Sequence, residues 1–110
     1  MSDSLPTHVK VGVFDYRIES WNSKDANSSR RYGETDNDQK KIRIDESYSG
    51  RQTATTLLHE IQHAIWSLWT IESKYNEEDT IVRMTHGLAT VWRDNPDLMQ
   101  WIHERLVKPS

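Results

Sequence analysis

The chain contains no cysteine, which excludes disulfide bonds and thiolate metal ligands. Any metal it binds must be held by histidine, aspartate or glutamate. No apolar run approaches the ~20 residues needed to cross a bilayer as a helix. The first ten residues, MSDSLPTHVK, lack the charged-then-apolar pattern of a secretory signal, and the expected location is cytoplasmic. There is no excess of positive charge either: the formal net charge is −3, so the chain carries no basic footprint for nucleic acid and little to attract it to anionic membranes. Internal repeats are absent, and low complexity is limited to short serine-rich and charged patches.

A length of 110 residues suits one domain able to bury a modest core. Hydrophobic residues are 35%, and five Trp and four Tyr add large apolar area per residue. Residues 9–21, rich in β-branched and aromatic types, predict one strand, or two short ones meeting near Gly12 or Asp15. Residues 22–39 are polar and turn-rich, with room for a short strand at 30–34. Residues 41–45, KIRID, alternate as a strand with Ile42 and Ile44 on one face.

Three helices should follow. The first spans about 51–75, with Leu58, Ile61, Ile65, Leu68 and Trp69 as its apolar stripe. A polar break at 76–79 leads into a second, from Glu77 or Glu78 to Arg93, with Ile81, Met84, Leu88, Val91 and Trp92 inward. Asn95 as N-cap and Pro96 at the first helical position predict a third, through residues 106–107. Strands first and helices after make the fold class α+β.

Residues 55–66 read TTLLHEIQHAIW, in which His59, Glu60 and His63 form an H-E-x-x-H pattern. Histidines at i and i+4 project from one helix face with Cβ atoms about 5–6 Å apart, so both imidazoles reach one tetrahedral zinc ion. A glutamate directly after the first histidine is then placed to act as general base on water activated by that ion. At about 100° per residue, with Leu58 as origin, His59 and His63 fall near 100° and 140°, on the shoulder of the stripe. The pattern also arises by chance, and histidine pairs occur on solvated helix flanks. Here it lies within a strong helix pattern, follows an apolar TLL turn and has a strand upstream, which together favour a metal site.

Catalytic zinc usually has three protein ligands and one open position. No histidine follows within ten residues of His63, so a carboxylate from the next helix is the remaining common solution. Glu72, Glu77, Glu78 and Asp79 are the candidates, and Glu72 sits too far along the first helix to bend back. Helical phase favours Glu77, which lies closest to the apolar face of its helix. A place on the shoulder of that face favours Glu78. Either acid also suits the positive end of a helix dipole without binding anything.

Residues 41–102 resemble a known group, the minimal single-domain zincins of phages and mobile elements, related to the ImmA/IrrE-type peptidases. The resemblance runs through IRID, TLLHEIQHAIW, EDTIVRMTHGLATV and RDNPDLMQWI; the HExxH is its specific part. In those relatives the glutamate heads a run like E-x-x-A-N-x-F-A. Glu78 with Ile81, Val82, Met84 and Thr85 fits that spacing better than Glu77, although Val82 replaces the Asn, and Ile81 and Thr85 stand at the usual Ala positions. The resemblance therefore implies Glu78 as third ligand beside His59 and His63, Zn2+ as cofactor and a short sheet packed on three helices. It also implies a gluzincin-like metallopeptidase acting on a peptide or protein, with Glu60 as general base. The alternative is a non-catalytic host-interaction or assembly module of phage type that retains the fold.

Other residues fit this frame loosely. Strand 41–45 is a candidate edge for holding a peptide by strand addition, or an ordinary core strand. Tyr75, His86, Tyr32 and Arg83 are possible donors to a developing oxyanion. His8 and His103 read as surface residues, Trp66 and Trp69 as core or cleft wall, and Trp101 and Ile102 as the docking face of the last helix.

Overall fold

Alternating burial organises the sheet. In the computed structural model, which describes residues 4–22, 24, 26 and 31–108, strand β1 (His8–Val11) turns into β2 (Phe14–Ser20) through Gly12 and Val13. Gly12 has φ +62, the left-handed value that the first central residue of a type II′ hairpin turn needs. The segment expected as one strand or two is therefore two, broken at Gly12 and not at Asp15. Strands β3 (Gly33–Asp36) and β4 (Lys41–Ile44) form a second antiparallel hairpin. The short strand expected at 30–34 runs instead over Gly33–Asp36, and Arg30 lies outside the described residues. GETD has no apolar alternation to mark it.

Strands β2 and β4 pair in parallel, giving the order β1-β2-β4-β3. That makes β4 an internal strand, and the edges of the sheet are β1 and β3, of which β3 lies against Glu60. Val9, Val11, Tyr16, Ile18, Ile42 and Ile44 are buried on one face of the sheet, and the helices cover that face.

Helix α1 (Gly50–Leu68) begins at Ser49, whose side chain accepts the Gln52 N–H. Leu57, Ile61, Ala64 and Ile65 are fully or almost fully buried on the sheet, each large side chain contributing about 1.5–3 kcal/mol of hydrophobic stabilisation. The helix stops seven residues short of the expected end at 75. Thr70 takes φ 48, its N–H donates to Ser67 O at 3.2 Å, and the Ile71 N–H donates to Trp66 O at 3.0 Å. These are the two bonds of a Schellman ending. The turn drops Ile71 into the core at 4% exposure. Hydrophobic periodicity runs smoothly through Ile71, so it gave no sign of the reversal.

Helix α2 (Glu77–Asp94) is capped by Asn76, whose side chain accepts the Asp79 N–H at 2.8 Å. It returns antiparallel to α1: Gly87 sits on Ile65, and further back Arg83 Nη1 donates to Trp69 O at 3.0 Å. A Cβ at Gly87 would lie 2.2 Å from Ile65 Cγ2, so the two helices meet where one has no side chain.

Helix α3 (Pro96–Val107) starts after Asn95, but Asn95 makes no capping bond with its side chain. It bridges elements instead. Its Oδ1 accepts the Lys10 N–H, and its Nδ2 donates to Lys10 O and Val91 O, all at 2.7–2.8 Å. Trp101 and Ile102 are buried at 7% and 4% exposure and dock α3. Among the described residues no helix is long and apolar enough to cross a membrane.

Two substitutions test this packing by chemical denaturation. Gly87→Ala should destabilise by about 1–3 kcal/mol, because the added methyl overpacks against Ile65. Thr70→Gly should stabilise by up to about 1 kcal/mol, removing roughly 1–2 kcal/mol of left-handed strain against a glycine entropy cost of about 0.5–1 kcal/mol.

Candidate metal centre

Helix α1 carries the site, and its rotation decides which side chains are dry. The buried face runs through Thr53, Ala54, Thr56, Leu57, Glu60, Ile61, Ala64 and Ile65. That arc is turned toward Leu57 from the stripe expected through Leu58 and Trp69, and Trp66 is 40% exposed. The physical cause is β3, which packs along one flank of α1 and lies against Thr56 and Glu60. Polar residues on that flank leave no trace in hydrophobic periodicity. The histidines therefore lie on the exposed face instead of on the shoulder, and Glu60, at 5% exposure, is the member that the fold encloses.

His59 Nε2 and His63 Nε2 face each other at 3.0 Å. Their ring centroids are 4.8 Å apart, with planes at 67°. Glu60 Oε2 is 3.9 Å from His59 Nε2, and one ligand atom from each of the three residues lies within 4.8 Å of the others. Zinc–nitrogen bonds of about 2.0–2.1 Å place two tetrahedral ligand atoms about 3.3 Å apart. The imidazole pair fits that spacing closely. Two neutral imidazoles can meet this way through one N–H···N bond, and a shared cation satisfies both nitrogens with no proton between them.

Behind Glu60 the site is tightly built. Thr35 Oγ1 lies 2.8 Å from Glu60 Oε1 and 3.0 Å from Glu60 O, so its single proton holds the carboxylate or its backbone. Gly33 brings β3 this close. A Cβ there would stand 2.8 Å from Thr56 Cγ2, 3.0 Å from Arg43 O and 3.1 Å from Glu60 Cγ. In front lies an open cavity of about 530 Å³, walled by α1, the start of β3, Tyr32 and Asn37.

Glu78 is not brought to the histidines. It is exposed in the first turn of α2 and lines no part of this cavity. Nine residues separate it from Gly87, the point of α2 seated on α1, which amounts to about 13–14 Å along the axis and a net half-turn at about 100° per residue. It therefore points away from α1. Glu77 and Asp79 are exposed in the same turn, where all three acids face the helix N-terminus. Besides His59, Glu60 and His63, no histidine or acid among the described residues lines the cavity.

Of the expected donors, only Tyr32 lines the cavity. Arg83 stacks over Tyr75, 4.6 Å from its ring centroid, at the far end of α1, and His86 is exposed on α2, as are His8 and His103 on their own elements. Gly33, Thr35 and Asn37 escaped sequence reasoning. They belong to a polar stretch whose strand becomes visible only through its pairing with β4. No family model, curated protein or solved structure matches the chain.

Metal analysis of the purified protein checks this geometry. His59→Ala and His63→Ala should each abolish zinc retention after dialysis, while Glu78→Ala should keep the wild-type zinc content.

Proposed function

We propose that this chain is a zinc-dependent metallopeptidase of zincin type, hydrolysing peptide bonds in a peptide or protein. The reading rests on one observation above the rest: two imidazole nitrogens converge at 3.0 Å beside an enclosed carboxylate whose second oxygen a threonine hydroxyl holds. His59 and His63 are the residues that hold Zn2+. When bound, the ion polarises a carbonyl and makes a nearby water more acidic.

Glu60 performs the proton transfers. Thr35 Oγ1 lies 2.8 Å from Oε1, and Oε2, 3.9 Å from His59 Nε2, is the basic atom on the side of the histidines. As the water oxygen bonds to the peptide carbonyl carbon, one of its protons passes to Oε2. The same proton moves to the amide nitrogen as the C–N bond breaks, releasing an amine and a carboxylic acid whose second water-derived proton passes to that amine, giving carboxylate and ammonium. Enclosure of Glu60 fixes its rotamer, so no ordering cost falls on the reacting state.

A second reading has its own support. Beyond His59, Glu60 and His63 no acid or histidine among the described residues lines the cavity, and the His59 side chain is 66% exposed, which also suits a partner-binding module that keeps the fold without the reaction. Zinc content separates the two: a protein purified without chelator and lacking zinc favours the module.

Glu60→Gln, of the same shape, should retain zinc and lose turnover by about 10²–10⁴-fold, the usual worth of a general base. Cleavage of a quenched-fluorescent peptide library measures it. Turnover equal to wild type in this variant sinks the mechanism.

A further inference from the structure

Asn37 opens the loop between β3 and β4 and lines the same cavity as Glu60, His59 and His63. Its surroundings fix it from several sides. The Tyr16 hydroxyl donates to Asn37 Oδ1 at 2.8 Å, and Tyr16 is itself fully buried in the sheet. The Lys40 ammonium donates to the Asn37 backbone carbonyl. Asp36 Oδ1 accepts the N–H groups of Asp38 and Gln39 at 3.1 and 3.0 Å.

An asparagine in a turn ordinarily bonds its own backbone two residues on. Here Asp36 has that task, which leaves the Asn37 side chain without a duty in the turn. With Oδ1 accepting from Tyr16, the two N–H groups of Nδ2 form the other end of the amide. Burial raises the Tyr16 pKa above its ordinary value, so the hydroxyl keeps its proton throughout the neutral range. Nδ2 has no protein acceptor among the described residues. The result is a donor on a side chain fixed by Tyr16, in a residue that lines the cavity, with no acceptor for it among the described residues.

We infer that Asn37 is the oxyanion donor of this site. Its Nδ2 N–H bonds to the substrate carbonyl oxygen as the C=O π pair moves onto that oxygen during attack by water. Tyr16 is the positioning residue behind it. Tyr32, the one expected donor that lines the cavity, is 49% exposed with its ring edge-on to Tyr48, and no bond to its hydroxyl occurs among the described residues. A donor fixed before reaction stabilises developing charge without reorganising, which distinguishes Asn37 from Tyr32. The inference rests on the peptidase reading.

The test compares Asn37→Ala, Asn37→Asp, Tyr16→Phe, Tyr32→Phe and Glu60→Gln in the zinc-loaded full chain. Four quantities are measured: zinc content, kcat and KM on the peptide library, and calorimetric binding of a phosphinic pseudodipeptide, a tetrahedral mimic needing no turnover. Both Asn37 variants should keep zinc and KM and lose kcat by about 10²–10³-fold, the usual effect of removing one such donor, with phosphinate affinity falling in parallel. Asn37→Asp keeps an acceptor for Tyr16, so its loss is not one of folding. Tyr16→Phe should lower kcat by a smaller factor at constant KM. Full kcat and phosphinate affinity in Asn37→Ala, with Glu60→Gln inactive, overturn the assignment and leave the peptidase reading standing. A loss confined to Tyr32→Phe overturns it equally. If wild type binds the phosphinate without cleaving the library, the affinity ratio alone decides. Wild type that does neither overturns both.

Discussion

Helix α1 is held on both flanks at places where its neighbours have no side chain, and the rest of the molecule depends on that grip. On one side Gly33 lets β3 lie against Thr56 and Glu60; on the other Gly87 lets α2 lie against Ile65. The seam of Leu57, Ile61, Ala64 and Ile65 presses the helix onto the sheet. Together these contacts fix its rotation as well as its position. Protein interiors pack at crystal-like density, so a helix gripped this way cannot rotate by even a fraction of a turn without clash. Its exposed and enclosed residues are assigned once for all of them.

That assignment gives the proposed site its asymmetry. His59 and His63 face solvent, where imidazoles can meet a cation and a substrate. Glu60 faces inward, onto Thr35, where a carboxylate keeps one conformation. A solvated glutamate on the same helix would sample several rotamers and lose entropy on each alignment. The loop after β3 adds Asn37, braced by a tyrosine from the middle of the sheet. Edge strand, loop and helix thus meet around one cavity, though they come from distant parts of the chain.

Much of this was legible in the residues. The order of strands before helices, the start of α2 near Glu77 and the Pro96 start of α3 follow from local patterning, because caps, prolines and alternation act over a few residues. The H-E-x-x-H spacing places two histidines on one face of any helix that contains it. Less local features were hidden. The end of α1 turned on a left-handed Thr70 that the continuing apolar period conceals. GETD is a strand only because β4 pairs with it, and Asn95, a good cap by sequence, was drawn off to Lys10 by a contact 85 residues away.

The carboxylate of α2 shows the same limit most sharply. Periodicity ranks Glu77 and Glu78 by phase relative to their own helix, but says nothing of where that helix meets α1. Gly87 decides it, and the seat on Ile65 carries the α2 N-terminus beyond reach of the histidines. By itself the sequence determined which elements form and which two imidazoles share a face, since both are governed by interactions within a turn or two of chain. Only tertiary packing decided which residue is enclosed, which strands are the edges and which side chains surround the cavity, because those depend on close approach between segments far apart in sequence.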